Sequence, residues 1–171
     1  MEQVLVAYGT KYGATAEIAE KIGQVLDQEG LAAKVLPADR AGDLTPYHAV
    51  VLGSAVYIGQ WRKEAATFLE ANAQQRAERP VWLFSSGPTG KGDPVLLGKG
   101  WAFPEGLQSI ADSIQPRDTA VFHGVMNLEK ASFFEKLIIK LVKAPVGDFR
   151  DWDAITAWAQ GIADALKEEV T

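Results

Sequence analysis

The chain predicts an α/β fold in which a parallel sheet is covered by helices on both faces. Two observations predict it. Short apolar runs, beginning with Val4-Leu5-Val6-Ala7-Tyr8, are continuous rather than alternating, as strands buried on both faces are. Between them, apolar residues recur at helical spacing, so strand and helix alternate almost from end to end. The 171 residues suit one domain with a full core, and neither an internal repeat nor a linker interrupts them.

The first strand spans about Gln3 to Tyr8. The helix after it turns Ile18, Ile22, Val25 and Leu26 inward and stops at Gly30, its C′ residue. Leu31–Pro37 reads as the second strand, Asp39–His48 as a polar turn, and Ala49–Ser54 as the β-branched third strand. A helix over 61–77 faces Ala65, Phe68, Leu69 and Ala73 inward, and Val81–Ser85 is the fourth strand. Ser86–Gly106 is long and rich in Gly and Pro, and a short helix follows over 104–114. Thr119–Met126 is the fifth strand, with His123 inside it as a satisfied core histidine, while His48 falls on the surface. Leu128–Lys143 is amphipathic, Pro145–Asp151 is a turn, and a last helix from Asp151 or Asp153 buries Ile155, Trp158, Ile162 and Leu166.

Open parallel sheets bind ligands beyond the carboxyl ends of their strands, at the switch point. The loops after strands one, three and four are therefore the candidates. The first, Thr10-Lys11-Tyr12-Gly13-Ala14-Thr15, joins a strand to a helix start. Free amides and the helix dipole favour an anion there, Gly13 permits close approach, and Thr10 and Thr15 offer hydroxyls. Phosphate would be held mainly by amides and hydroxyls, those of Lys11 and Tyr12 by backbone only. The second loop, Ser54-Ala55-Val56-Tyr57-Ile58-Gly59, is small-residue backbone with the aromatic face of Tyr57; Trp61 follows, balanced between ligand contact and packing. The third, Ser85-Ser86-Gly87-Pro88-Thr89, is hydroxylated and Gly-rich. Trp101, in the irregular segment, covers either the ligand or core. A phosphorylated aromatic heterocycle fits this combination.

With these loops the chain resembles, over essentially its whole length, the flavodoxin-like flavoproteins. The resemblance implies a three-layer sandwich on a five-stranded parallel sheet of order 2-1-3-4-5, a single domain over 1–171, and FMN as cofactor. It assigns cofactor binding to Thr10, Lys11, Tyr12, Gly13, Ala14 and Thr15, to Ser54, Ala55, Val56, Tyr57, Ile58 and Gly59, and to Ser85, Ser86, Gly87, Pro88 and Thr89. A narrower likeness lies in Phe133-Phe134-Glu135-Lys136-Leu137-Ile138-Ile139-Lys140-Leu141, a Gly-bearing turn and Asp151-Trp152. This region is similar to the C-terminal part of the quinone-dependent protoporphyrinogen oxidases. It implies a porphyrinogen substrate and a membrane quinone as acceptor. Those enzymes are basic after strand four, where this chain has Gly and Pro with only Lys91 and Lys99. The alternatives are an electron shuttle serving a redox protein partner and a flavin-free interaction module.

Composition narrows the remaining classes. A formal net charge of −5 gives no basic footprint for nucleic acid. With no cysteine, disulfides, thiolate metal sites and cysteine nucleophiles are excluded, and no metal set is expected. Asp43, Asp93 and Asp112 form no carboxylate pair, and no catalytic side chain emerges. Gly90-Lys91 lacks the Ser or Thr and the spacing of a P-loop, and the first strand lacks both a receiver domain's acids and a dinucleotide fingerprint. Lys11, Arg62, Lys63 and Lys91 near the loops favour an anionic substrate or a membrane over a basic partner. The Leu128–Lys143 helix, with an apolar face opposite Lys136, Lys140 and Lys143, either packs on the sheet or lies at a membrane surface. Without a signal-like start or a spanning run, the expected location is cytoplasmic, either free in solution or peripheral at the inner face of the membrane.

Overall fold

The structure, a computed structural model, describes residues 3–74, 78–143 and 145–170. Its main sheet is built from β1 (Gln3–Gly9), β2 (Ala32–Pro37), β3 (Tyr47–Tyr57), β5 (Val81–Ser86) and β6 (Asp118–Phe122), all parallel, in the order β2-β1-β3-β5-β6. The order expected for five parallel strands is thus matched in part. An additional strand, β4 (Gln60–Trp61), pairs antiparallel with the end of β3 and shifts the numbering.

Alternation along each strand divides the core in two. Val4 and Val6, Ala49 and Val51, and Trp82 and Phe84 face α1 (Ala14–Gln28) and the long C-terminal helix α6 (Trp152–Val170). Leu5 and Ala7, Val50 and Leu52, and Val81 and Leu83 face α2 (Lys63–Ala71) and α4 (Gln108–Ile114). Helix α1 is an amphipathic helix in the expected register, with Ile18, Ile22 and Leu26 fully buried. It ends where Gly30 takes φ +86° and Leu31 N donates back to Leu26 O at 3.0 Å, a conformation glycine adopts without penalty. Helix α6 starts under an Asp151 cap on Ala154 N at 3.0 Å and buries Ile155, Ile162 and Leu166, with Trp158 packed half-buried beside them.

Four expectations change. The helix expected over 61–77 opens at Lys63, because Ile58 and Gly59 both take positive φ, +50° and +71°. That is the geometry of a two-residue hairpin turn, and it folds Gln60–Trp61 back on β3. The expected end of that helix at Ala77 lies outside the described residues. The fifth strand breaks at His123-Gly124, and its remainder, β7 (Val125–Met126), pairs with β8 (Gly147–Asp148) in a separate ribbon. His123 therefore lies past the strand, half-buried, and its Nε2 has no hydrogen-bond partner among the described residues; it is not a satisfied core histidine. The Gly- and Pro-rich segment carries a one-turn helix, α3 (Pro94–Leu97), capped by Asp93. Finally, α5 (Phe133–Val142) starts later than expected, behind a Ser132 cap, and packs on the loops instead of the sheet.

Candidate functional site

A cleft of about 470 Å³ opens at the carboxyl ends of β1, β3 and β5, where the topology reverses. Its volume lies in the usual range for small-molecule sites. One end is the turn between β1 and α1. Gly13 sits at the helix N-cap with φ +93° and nothing within 4 Å of where a Cβ would be. The Thr10 hydroxyl accepts from Gly13 N at 3.0 Å, which leaves its own proton free to donate. The first intrahelical bond is Glu17 N to Gly13 O at 3.2 Å, so the amides of Ala14 to Ala16 have no intrahelical acceptor. Thr15 is 1% exposed and lines the cleft. Threonine side chains beside free amides at a helix N-terminus form a seat that suits an anion.

The walls are backbone and small side chains: Ala55, Val56, Tyr57 and Ile58 from the β3–β4 hairpin, and Ser86 and Gly87 after β5. Gly124 closes one side. A Cβ there would lie 2.9 Å from Gly87 O, so only glycine permits these two segments to meet. Gly124 N donates to Pro88 O at 2.9 Å and Phe149 N donates to Gly124 O at 3.1 Å, which stitches three loops together.

The roof is α5. Ile138 and Ile139 line the cleft, and the helix is fastened at Glu135. That carboxylate accepts from Lys11 Nζ at 2.5 Å and from Tyr12 Oη at 2.7 Å, and Ser132 Oγ reaches it at 3.1 Å. Hydrogen bonds from Lys11 and then Tyr12 pull the Glu135 pKa down to about 2, and the bond to Glu135 raises that of Lys11. Lys130 adds a bond to Tyr12 O at 3.5 Å, and Lys11 Nζ lies 4.7 Å from the centre of the Tyr57 ring.

Of the expected site residues, the cleft gathers Thr10, Lys11, Tyr12, Ala14, Thr15, Ala55, Val56, Tyr57, Ile58, Ser86 and Gly87. Gly13 shapes the turn from behind. Ser54 and Ser85 are buried away from the cleft with their hydroxyls in use. Ser54 Oγ accepts from Arg62 N at 2.8 Å, and Ser85 Oγ accepts from the Trp61 indole at 2.8 Å. Trp61 is therefore a packing residue, edge-on to Phe103 at 5.1 Å. Gly59, Pro88 and Thr89 lie outside the lining; Gly59 O accepts from Trp101 Nε1 at 3.2 Å, and Trp101 does not line the cleft either. Among the expected cations Lys11 and Arg62 line it, whereas Lys63 and Lys91 do not.

Sequence reasoning missed Gly124, Asn127, Lys130, Glu135, Ile138, Ile139 and Arg150. Ser132-x-x-Glu135 has the spacing of a capping box and could have placed the true start of α5. Arg150 carries no such signal. Among the described residues no group of three His, Asp or Glu is placed to hold a metal, and no helix is long and apolar enough to cross a membrane.

Known structures share this architecture. A cysteine-to-serine mutant of the flavodoxin from Pseudomonas aeruginosa superposes with a TM-score of 0.61 at 16% identity, over 96% of this chain and 99% of its own. The Streptococcus pneumoniae TIGR4 flavodoxin gives 0.60 at 14% identity, over 95% and 99%. Rubredoxin oxygen:oxidoreductase from Desulfovibrio gigas gives 0.66 at 16% identity, and there this chain, covered in full, spans 37% of the larger protein. These identities speak for the fold alone. No curated protein matches the sequence. The family model for the flavodoxin domain matches residues 5–153, which include the anion seat, both walls and the roof. By that match, the chain belongs to the flavodoxin domain family, a family of FMN-binding proteins.

Proposed function

We propose that the cleft binds FMN and that the protein is an FMN-dependent oxidoreductase of the quinone-linked protoporphyrinogen oxidase kind. The observation that carries the first part is the β1–α1 turn, where the Thr10 hydroxyl keeps a free proton and Thr15 lines the cleft beside amides that have no intrahelical acceptor. The seat suits a phosphate, and the adjoining wall of Val56, Tyr57 and Gly87 suits the edge of a flat ring system. Thr10 and Thr15 would donate to phosphate oxygens, the free amides of Ala14 to Ala16 would face them, and Tyr57 would offer its ring to the flavin edge. Bound FMN supplies one- and two-electron redox chemistry; the protein binds, orients and shields it.

Support for an enzyme over a shuttle comes from the rim and the roof. Arg62 and Lys130 line the cleft and suit a carboxylate-bearing porphyrinogen, whereas Lys11 and Arg150 there are already paired with Glu135 and with Asp148 and Glu17. On its outer side α5 exposes Phe133, Phe134 and Leu141 together with Lys136, Lys140 and Lys143. Apolar groups flanked by lysines suit an anionic lipid surface, where a membrane quinone would be met. The protein would then sit peripherally at the inner face of the membrane. The second reading is an electron-transfer protein serving a redox partner, supported by the near-complete length overlap with flavodoxins.

Mass spectrometry of the extracted cofactor tests the first part, with FMN the expected result and FAD or no flavin after reconstitution the contrary one. Thr15→Ala is expected to weaken FMN binding about 10- to 150-fold, as a hydrogen bond to a charged group is worth roughly 1.5–3 kcal/mol. Oxidation of protoporphyrinogen with a quinone present, and sedimentation with anionic vesicles that declines as salt rises, test the second. Rapid reduction by a flavodoxin reductase without either activity would select the shuttle.

A further inference from the structure

Arg150 lies 136 positions from the β1–α1 turn in sequence and reaches its far side in space. Its side chain is 9% exposed and lines the same cleft as Thr10, Ala14 and Thr15. Every nitrogen is engaged. Nε and Nη2 donate to the two oxygens of Asp148 at 3.0 and 2.7 Å, and Nη1 donates to Ala14 O at 3.1 Å and Glu17 Oε2 at 3.0 Å. The guanidinium carbon lies 4.8 Å from the Trp152 ring centre. Such a fork, fixed on a carboxylate and stacked on a ring, is an arrangement lysine cannot reproduce.

Glu17 is the acid in the first turn of α1, and it also lines the cleft. An acid in that position favours the helix dipole but opposes a second anion seated at the same N-terminus. Arg150 is the cation paired with it. Removing Arg150 would leave Glu17 and Asp148 uncompensated beside the anion seat. The bond to Ala14 O also fixes the first turn whose amides form that seat.

We propose that Arg150 is the charge-compensating, positioning residue of the anion end, and that it sets the preference of the cleft for phosphorylated over unphosphorylated flavin. The proposal rests on the reading that the cleft binds FMN. A residue that merely tied the C-terminal segment to α1 would affect both ligands alike. A charge-compensating residue acts on the phosphate and therefore on the ratio of affinities.

The test is titration of the full chain with FMN and with riboflavin, followed by quenching of ligand fluorescence. Arg150→Gln is expected to lower the FMN-to-riboflavin affinity ratio about tenfold, through loss of the cation that offsets Glu17 and Asp148 rather than of a bond to the phosphate. Arg150→Lys keeps the charge and is expected to restore part of that ratio. Glu17→Gln removes the opposing carboxylate and is expected to raise the ratio about two- to fivefold, less at high salt. Glu17 is 60% exposed, so this variant keeps the fold and decides the question if Arg150→Gln does not fold. A ratio at the wild-type value or below in Glu17→Gln, or FMN and riboflavin weakened equally in Arg150→Gln, overturns the proposal. Wild-type protein that binds neither ligand overturns the FMN reading itself, which the variants are not needed to show.

Discussion

Helices α1 and α5 look alike as sequences and end in opposite situations. Each has an apolar face, a polar face and good helix formers. In α1 the apolar face is spent on the sheet, with Ile18, Ile22 and Leu26 fully buried. In α5 the apolar face is turned out, with Phe133 81% and Phe134 73% exposed, and only the edge bearing Ile138 and Ile139 meets the protein. An amphipathic pattern says that a face exists. It does not say what covers it. The sheet has a helix-sized vacancy after β1, because a parallel crossover must return over one face. After β7 the chain has already left the sheet, and α5 is fastened to loops by Glu135 instead.

The largest expected effect sharpens this contrast. Ile22→Ala is expected to cost about 2–5 kcal/mol of stability by denaturant unfolding, as buried large-to-small changes do. Phe133→Ala is expected to stay within about 0.5 kcal/mol. Comparable losses at the two positions would mean that the outer face of α5 is covered after all.

A smaller effect concerns the fastening. Glu135→Gln is expected to speed amide hydrogen exchange in α5 by up to about tenfold while leaving α1 unchanged, because exposed ion pairs are worth at most about 1 kcal/mol. The pH dependence has a definite sign. The Glu135 pKa is lowered from 4.5 to about 2, so its contribution is complete above pH 4.5 and is lost as pH falls toward 2. Protection of α5 in wild type should therefore converge on that of the variant across this interval. Equal protection at pH 7 would mean that Glu135 does not hold the roof.

The smallest effect is at the rim. Ile58 is a β-branched residue at φ +50°, where such side chains are strained. Ile58→Asn, which suits this turn beside Gly59, is expected to raise the midpoint of thermal unfolding by an amount equivalent to about 1 kcal/mol. No change would show that contacts of Ile58 in the cleft offset its strain.

These positions also mark what the sequence made legible. The five long strands and α1 announce themselves because Val4 to Ala7, Val50 to Leu52 and Ile18 to Leu26 are apolar at the period of their own element. The strand-to-helix turn at Thr10–Thr15 was legible because a glycine between two threonines follows directly on the apolar run of β1. The β3–β4 hairpin was hidden because Ile58 is a residue no turn rule selects. Ser54 and Ser85 were misplaced because a hydroxyl at a strand end serves a ligand or a neighbouring loop with the same chemistry. The roof and Arg150 were hidden for another reason. Their partners lie more than a hundred positions away, and no local spacing encodes such a meeting.

That separation in sequence has a consequence for how the protein is made. Lys11 waits for a partner 124 positions later, and Ala14 for one 136 positions later. During synthesis the anion seat emerges first, but its cover and its brace emerge last. Contacts of this span are slow to form because the intervening chain must close first. A nascent chain that ends before Gly124 can pair β1, β2, β3 and β5, yet it has only an open trough where the cleft will be. A chain lacking Gly124, Glu135, Ile138 and Arg150 would lack one side and the roof of the cleft, and the helix that finishes it is also the one that leaves Phe133 and Phe134 in solvent.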